Sequence, residues 1–395
     1  MNYPSLLNRT ESIFKEDVDN LNNELIDVVS KSKILVVGGA GSIGQSVVLE
    51  LFKRSPKLLH VVDLSENNLV ELVRNIRGSL PREKGEFKTF AIDSMSPEFS
   101  ALIENQKSYD YVFNLSAMKH VRSEKDPYTL MRLIKVNILN SYYLLKSISK
   151  GRGLKNYFCV SSDKASNPVS MMGASKKIME KFLLNERDEC HINMSRFANV
   201  AFSDGSLLYG FHNRLQKKQP LAAPDDVKRY FISSQESGEL CLLTNFFGKN
   251  AEIFFPKMDP EKDMVTFSEI AINFLRYHGY DYIDCNDEEE ARDLVKNIET
   301  SKKWPCLFTK SDTTGEKEFE EFYEKNDDIN LSKFSSIGLI KNIPRNNISF
   351  KDFVDRIDRL IESKNWQKED IVSIFEDFLP DYNHEELNTN LDQKM

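Results

Sequence analysis

The chain has 395 residues, which is enough for one large domain or two smaller ones. Its composition, 40% hydrophobic and 29% charged, is ordinary for a globular protein with a core of normal size. The formal net charge of -8 argues against a general nucleic-acid binder, which would present a basic face. A nucleotide ligand stays open, because the N-terminus of a helix can hold phosphate without net positive charge.

The cysteines favour reduced thiols over a disulfide framework or a zinc site, and we expect no metal. They are odd in number, widely spaced and without a CxxC pair: Cys159, Cys190, Cys241, Cys285 and Cys306. The N-terminal stretch mixes charged and apolar residues without a hydrophobic signal region, and no run of about 18 apolar residues occurs. We therefore expect a cytoplasmic protein that does not cross a membrane.

Apolar positions at helical spacing between residues 5 and 30 predict a leading helix or two within an N-terminal extension, residues 1–32. From Lys33 to about Val200, apolar runs of strand length alternate with helical stretches. The runs are ILVVG, LLHVVD, FKTFAID, YDYVFNLS, KNYFCVSS and HINMSRFANV. This rhythm predicts an α/β fold over residues 33–200, a Rossmann-type doubly wound parallel sheet that is buried on both faces.

After Val200 the rhythm breaks into loops and mixed segments. We interpret residues 201–345 as a smaller region that covers the substrate. Residues 346–395 predict a C-terminal helical extension and a polar tail, with helices around Phe350–Ser363 and Lys368–Phe378.

A glycine-rich segment, GGAGSIG from Gly38 to Gly44, follows the first strand and opens a helix. Gly38 permits the tight turn, Gly41 lets the backbone approach a pyrophosphate, and Gly44 lets the helix pack close to the strand. The backbone N–H groups at the helix start, at Ser42 and Ile43, would then face the phosphates. A plain tight turn is the alternative, but the flanking strand and helix favour a dinucleotide site.

Asp63 ends the second strand, 19 positions after Gly44. A carboxylate there accepts hydrogen bonds from the adenosine ribose hydroxyls and repels a 2′-phosphate, and no arginine follows it immediately. The sequence therefore predicts NAD rather than NADP, with an ordinary solvated aspartate as the alternative. Asp93, at the end of the third strand, is a weaker candidate for contact with the adenine.

Several motifs resemble the extended short-chain dehydrogenase/reductase superfamily, and within it the polysaccharide-biosynthesis branch, which includes UDP-N-acetylglucosamine 4,6-dehydratases. They are Gly38–Gly44, Asn114-Leu115-Ser116-Ala117, Asn137, SSDKASNP (161–168), MGASK (172–176), AMKHV (117–121), Asp126-Pro127, RFANV (196–200) and Arg229-Tyr230-Phe231. The resemblance covers about residues 33–260. Less specifically, Trp304-Pro305-Cys306, SDTTGEK (311–317) and LDQKM (391–395) are similar to a longer subgroup of such dehydratases.

The usual catalytic pair of this superfamily is Tyr-x-x-x-Lys, with both side chains on one helical face. This sequence has Met172 in place of the tyrosine and keeps Lys176. A thioether has no proton to give or take, so Met172 occupies the catalytic position without acting as an acid or base. A degenerate, inactive relative is the alternative. Several 4,6-dehydratases of the branch carry methionine there, which favours a dehydratase over an epimerase.

The resemblance implies roles for the remaining catalytic residues. Lys164 would be the base for C5 and Asp163 the acid for the C6 hydroxyl, while Ser162 would bind the C4 oxygen. Lys176 would bind the nicotinamide ribose, and Ser116 lies in a motif implied to contact the cofactor. The base for the C4 hydroxyl stays open between Lys164 and a water.

The sugar and its diphosphate need further contacts. Guanidinium groups suit phosphate oxygens, which makes Arg196 and Arg229 candidates, with a structural ion pair as the alternative for each. The other candidates for substrate binding or scaffold are Lys119, Asn137, Asn199 and Lys257.

The residues and the resemblance together predict an NAD-dependent nucleotide-sugar 4,6-dehydratase that acts on UDP-N-acetylglucosamine in the biosynthesis of surface polysaccharide or glycan sugars. A nucleotide-sugar 4-epimerase and a non-catalytic NAD-binding protein are the rival hypotheses. The superfamily implies a homo-oligomer, paired through the helices around the catalytic segment.

Overall fold

The computed structural model describes residues 6–81, 85–150, 153–311, 320–382 and 384. The strands, in chain order, are β1 (Lys33–Val37), β2 (Leu58–Asp63), β3 (Glu86–Ala91), β4 (Tyr111–Asn114), β5 (Asn156–Ser162), β6 (Ile192–Phe197), β7 (Asn199–Val200), β8 (Leu221–Pro224), β9 (Lys228–Ile232), β10 (Glu252–Pro256), β11 (Met264–Thr266), β12 (Asp281–Asp284), β13 (Lys303–Thr309), β14 (Asp328–Asn330) and β15 (Ile337–Lys341).

The main sheet has the order β14-β15-β10-β6-β5-β4-β1-β2-β3 within the described residues. The seven strands from β10 to β3 run parallel, while β15 is antiparallel to both of its neighbours. The strands β1, β4, β5 and β6 are buried along almost their whole length, as a sheet covered on both faces requires. The predicted α/β fold with a Rossmann-type parallel sheet is confirmed.

The sheet does not end at Val200. Strands β10, β14 and β15 come from beyond that residue, so the boundary at 200 does not limit the sheet as we predicted. These three strands lie outside the regular alternation of strands and helices, and β15 pairs antiparallel with both of its neighbours, which that alternation does not predict. The main sheet therefore includes strands from within residues 201–345, the region that we proposed to cover the substrate.

Helices connect and cover the strands. They are α1 (Lys15–Lys31), α2 (Ser42–Lys53), α3 (Glu66–Ser79), α4 (Pro97–Gln106), α5 (Pro127–Ile134), α6 (Ser141–Ser149), α7 (Met171–Asn185), α8 (Leu207–Gln216), α9 (Ser234–Phe247), α10 (Phe267–Tyr277), α11 (Glu288–Leu294), α12 (Ile298–Ser301), α13 (Phe350–Ser363) and α14 (Lys368–Phe378). A π-helical segment, Lys135–Asn140, joins α5 to α6. No helix among the described residues is both long enough and apolar enough to span a bilayer.

The terminal helices belong to the same molecule's core. Leu25 and Val29 of α1 are buried in the main core, so α1 covers this chain's own sheet. Phe350 of α13 stacks on Tyr142 of α6, with ring centroids 3.5 Å apart. Helix α14 packs against α5 and α7. We expected a second copy of the chain to pair through the helices around the catalytic segment. In this structure the C-terminal helices of the same chain pack against those helices. The bounds of α13 and α14 agree with the prediction.

A second, smaller core lies outside the main sheet. Two three-stranded sheets, β11-β9-β7 and β12-β13-β8, contribute to it with α8 and α10. Trp304 of β13 is fully buried there and donates its indole N–H to the carbonyl of Gln219 at 2.9 Å. Leu6 and Leu7 of the N-terminal extension are also part of this cluster. The region therefore has its own packing, which holds β7 and β9 beside the carboxyl ends of the main strands.

Candidate active site

The glycine-rich loop between β1 and α2 is shaped by close backbone contacts. Gly38 has φ +75°, and a Cβ on it would lie 2.7 Å from the nitrogen of Ser116. A Cβ on Gly44 would lie 2.2 Å from the carbonyl oxygen of Gly38. A Cβ on Gly41 would lie 3.6 Å from the nearest atom, the carbonyl oxygen of Gly38. Helix α2 begins after Gly41 without a side-chain cap. The uncapped N–H groups at the start of α2, at Ser42 and Ile43, would face the pyrophosphate of a dinucleotide. The Ser42 hydroxyl accepts the backbone N–H of Asp204 at 2.8 Å.

Asp63 lies beside this loop at the end of β2. Its carboxylate accepts hydrogen bonds from the backbone N–H groups of Ala40 and Ser65, both at 2.9 Å. The first of these bonds fixes the carboxylate next to the phosphate loop, where the ribose of a bound dinucleotide would lie. Asp93 lies two residues beyond β3, is exposed, and accepts the N–H of Met95 at 2.9 Å.

We expect Gly44→Ala to destabilise the protein by about 1–3 kcal/mol, because the new methyl group must displace the backbone of Gly38. The matched control is Gly78→Ala in α3, where a Cβ meets no atom within 4 Å. The control is expected to be neutral or to stabilise by up to about 1 kcal/mol, since alanine is the better helix former. Thermal unfolding of the two variants tests this, and equal melting temperatures would contradict the tight packing.

The segment after β5 carries an acid/base pair. Ser162 is the last residue of the strand, and Asp163–Ala165 form a single 3₁₀ turn. The Ser162 hydroxyl donates to Asp163 at 2.7 Å, and the Lys164 ammonium lies 3.3 Å from both carboxylate oxygens. The Asp163 side chain is buried, whereas that of Lys164 is 26% exposed. The pair therefore lies at the carboxyl edge of the sheet, and Lys164 is the more accessible of the two side chains.

Helix α7 packs directly on this turn. A Cβ on Gly173 would lie 2.3 Å from the carbonyl oxygen of Lys164, so glycine permits the contact. Met172 is buried, and its backbone N–H donates to Glu124 at 2.8 Å. Lys176 lies one helical turn later and donates its ammonium to the carbonyl of Val160 at 2.9 Å. Burial lowers the pKa of Lys176 from its usual value.

Asn137 has a scaffold position. It is fully buried in the π-helical segment, accepts the N–H of Met118 at 2.8 Å and donates to the carbonyl of Met118 and to Ser175, both at 3.0 Å. The side chain thus ties the loop after β4 to α7, and it is not open to substrate in this structure. Lys119, next along that loop, is exposed and lies near Asp204.

Arg196 is a structural ion pair rather than the phosphate ligand of our first hypothesis. Its guanidinium binds both carboxylate oxygens of Glu180, at 3.0 and 2.8 Å, and donates to the carbonyl of Phe322 at 2.8 Å. Both charged side chains are only 3% exposed. Since this pairing uses the forked face of the guanidinium inside the core, a diphosphate does not reach it.

The observed contacts of Lys257 also differ from our prediction, which was a contact with the nucleotide. Its ammonium donates to three backbone carbonyls, those of Leu331, Phe334 and Ser335, at 2.5–3.1 Å. An ammonium group has three donors, so these bonds engage all of them. Lys257 therefore holds the loop that leads into β15.

Asn199 and Arg229 lie together on the other side of the cleft. Both contact Glu320, a residue that sequence reasoning missed. The amide of Asn199 donates to its carboxylate, and Arg229 Nε lies 3.9 Å from the same oxygen. The backbone N–H of Tyr230 donates to the second oxygen at 2.7 Å.

Glu180 and Glu320 gave no signal in the sequence, because each is one acidic residue among many and only the fold buries them. Residues 312–317 of the SDTTGEK motif and the LDQKM motif at 391–395 lie outside the described residues. Ser311 is described, and its N–H donates to Asp226 at 2.9 Å.

Curated relatives carry several different names. The chain is 30% identical over 255 residues to the uncharacterized membrane protein MJ1061 of Methanocaldococcus jannaschii, covering 62% of this chain and 73% of that protein. It is 28% identical to a UDP-N-acetylglucosamine 4,6-dehydratase (inverting) of Campylobacter jejuni, over 59% of this chain and 69% of that one. It is 27% identical to a UDP-glucose 4-epimerase of Rickettsia bellii, over 57% of this chain and 65% of that one.

Two further relatives are longer proteins. They are the probable polysaccharide biosynthesis protein EpsC of Bacillus subtilis, 24% identical over 77% of this chain, and the capsular polysaccharide biosynthesis protein CapD of Staphylococcus aureus, 26% identical over 68%. The chain spans less than half the length of each, 47% and 45%.

Solved structures share the fold. Pen from Bacillus thuringiensis superposes with a TM-score of 0.63 at 19% identity, covering 85% of this chain and 98% of that one. WbmF from Bordetella bronchiseptica, in complex with NAD+ and UDP, gives a TM-score of 0.52 at 17% identity, over 64% of this chain and 80% of that one. A family model described as polysaccharide biosynthesis protein matches residues 34–342. With its sheet, glycine loop and catalytic segment inside that match, the chain belongs to this polysaccharide biosynthesis family.

Proposed function

We propose that the protein is a nucleotide-sugar 4,6-dehydratase that converts UDP-N-acetylglucosamine to a UDP-4-keto-6-deoxy-N-acetylhexosamine, with NAD bound throughout the cycle. The observation that carries the proposal is the Asp163–Lys164 pair at the carboxyl edge of the sheet, beside a helix whose tyrosine position holds Met172. Elimination of water needs one group that removes a proton and one that protonates the leaving oxygen, and this pair supplies both types. Similarity to the Campylobacter dehydratase supports it.

The cofactor site fits NAD. The uncapped start of α2 fits the pyrophosphate, Asp63 the adenosine ribose, and Lys176 the nicotinamide ribose. When bound, NAD supplies the chemistry that oxidises C4 of the sugar and later reduces C6. The ketone at C4 makes the hydrogen on C5 acidic, and this is why weak side-chain bases suffice for the elimination.

The chain's own residues handle the protons. Lys164, at 26% exposure and as the neutral amine, takes the C5 proton, while Asp163 in its protonated form gives its proton to the C6 oxygen, which leaves as water. Ser162 donates to the C4 oxygen from the end of β5. Lys176 places a positive charge near that oxygen. Arg229 of β9 is the cation that we assign to the diphosphate, since Arg196 is paired inside the core. The Arg229 side chain is only 8% exposed and lies 3.9 Å from Glu320, so a diphosphate would compete with that carboxylate.

A nucleotide-sugar 4-epimerase is the second candidate, and similarity to the Rickettsia 4-epimerase favours it. An epimerase of this superfamily relies on the tyrosine that Met172 replaces. It also leaves the C6 hydroxyl in place, so it has no use for an acid at Asp163. A change in product mass therefore separates the two reactions.

The test is incubation of the purified protein with UDP-, GDP- and dTDP-hexoses, followed by mass spectrometry of the nucleotide sugars. Loss of one water from UDP-N-acetylglucosamine is the expected result. An unchanged mass with an altered C4 configuration would support the epimerase. No change with any sugar would contradict both enzymes and favour a non-catalytic NAD-binding protein.

Asp63 predicts which cofactor the protein retains. A carboxylate that is already fixed by the glycine loop repels the 2′-phosphate of NADP, so protein denatured after purification is expected to release NAD. Asp63→Asn should weaken this discrimination, while Asp284→Asn, at an exposed position that ends β12 outside the main sheet, serves as the control. Recovery of NADP alone from the wild-type protein would contradict the assignment of Asp63.

A further inference from the structure

Glu320 lies inside the cleft beside the catalytic turn. Strand register aligns Ser162 with Phe197, so Asn199, two residues beyond Phe197, lies at the same edge of the sheet as Asp163. Glu320 is bonded to Asn199 and to the backbone of Tyr230, and its side chain is only 3% exposed. A carboxylate from a distant part of the chain is thereby brought to the sheet edge that carries Asp163 and Lys164, and it interacts electrostatically with both of them.

The segment that carries Glu320, residues 320–327, is fixed to the fold on both sides of the site. Phe322 packs between Tyr230 and Phe255, with ring centroids 5.9 and 6.0 Å away. The carbonyl of Phe322 accepts a hydrogen bond from Arg196. Glu324 pairs with Lys177 of α7. These contacts hold Glu320 in place without a bound ligand, so its position is a property of the folded protein.

The charges around Glu320 set its protonation. Burial and the negative charge of Asp163 raise the pKa of Glu320 to about 7. Lys164, Arg229 and the N–H of Tyr230 act in the opposite direction, and Glu320 in turn raises the pKa of the Tyr230 phenol. Near neutral pH this carboxyl is therefore found in both forms, which suits a group that must accept and then release a proton.

The proposed reaction needs such a group. Oxidation of the C4 hydroxyl releases a proton, and Met172 cannot take it. Later the C6 hydroxyl must gain a proton to leave as water. Asp163 accepts a hydrogen bond from the Ser162 hydroxyl and lies against the Lys164 side chain, as a carboxylate does, so it needs a source for the proton that it gives.

We propose that Glu320 is the proton-transfer partner of Asp163, so that these two carboxylates act as a pair that takes up and releases one proton during the reaction. The proton that leaves the C4 oxygen enters the pair as the ketone forms. The same proton passes to the C6 oxygen as the C6–O bond breaks, and water leaves. Lys164 enters the reaction as the neutral amine, separately takes the C5 proton and returns it to C5, so protons balance over the cycle. This inference rests on the proposed dehydratase function.

The test is the pH profile of kcat/KM for dehydration. The wild-type profile is expected to rise through an apparent pKa near 7, which we assign to Glu320. Glu320→Gln should lower kcat/KM about 100-fold or more at pH 8 and remove this rise. Glu320→Asp keeps a carboxyl and should keep the rise. The control Glu321→Gln, an exposed neighbour bonded to Asn167, should match wild type.

A measurement that does not depend on turnover accompanies the profile. In protein labelled with ¹³C at glutamate carboxyls, the Glu320 resonance, assigned by its loss in Glu320→Asp, is expected to titrate near pH 7. A midpoint near the ordinary value of 4.5, or a Glu320→Gln variant that keeps the rise in kcat/KM, would overturn this inference alone. If wild-type protein releases no water from any nucleotide sugar, the proposed function fails and this inference fails with it.

Discussion

Lys164→Met is expected to reduce formation of the 4-keto-6-deoxy product by about 100- to 10,000-fold, the range in which general acid–base groups contribute. Lys164 is the base that the cleft offers to C5, since Met172 has no titratable proton and Lys176 is buried against the carbonyl of Val160. Methionine has a similar length but no proton-accepting nitrogen. Oxidation at C4 should remain at least partly possible in the variant.

Lys155→Met is the matched control for this variant. Lys155 precedes β5 just as Lys164 follows it, and its side chain is 57% exposed beside Asp110 at the opposite edge of the sheet. Product formation by the control should match wild type. Near-normal product formation by Lys164→Met would show that the C5 base lies elsewhere in the cleft.

Arg196→Met is expected to lower the free energy of unfolding by about 3–5 kcal/mol, because it leaves the Glu180 carboxylate buried without its partner. Glu180 would retain the hydroxyl of Ser161, at 2.6 Å, as a hydrogen-bond donor. The variant also removes the bond to the carbonyl of Phe322 and so loosens the segment that carries Glu320. Denaturant unfolding with and without NAD measures the loss.

The double variant Arg196→Met, Glu180→Met is the control for this prediction. Removing both charges replaces a buried ion pair by apolar groups, which is often neutral in energy, so much of the lost stability should return. A single variant with unchanged stability but weaker binding of UDP would instead favour the phosphate-binding role that we first considered for Arg196.

The main sheet could be predicted from the sequence because its strands are continuous apolar runs between helical stretches. Strand β2 and helices α13 and α14 lie at the residues that periodicity indicated. The segments after Val200 were harder, because β10 and β15 join the sheet through pairings distant in sequence. Local pattern does not contain that information.

The candidate site was predicted in part. The glycine loop and the Asp163–Lys164 turn are local motifs, so their positions follow from the strands that precede them. The environments of Lys257 and Glu320 depend on residues more than 70 positions away in the sequence. The environment of Arg196 depends on its ion pair with Glu180. A sequence names the charged residue but not the partner that decides its role.

The central claim, dehydration through loss of the C5 proton, is tested most directly by running the reaction in D2O and analysing the product by mass spectrometry and NMR. We expect UDP-N-acetylglucosamine to lose one water and the product to carry deuterium at C5, because the lysine that returns the proton exchanges with solvent. Recovery of a sugar that keeps its oxygen at C6 and its original hydrogen at C5 would contradict the account.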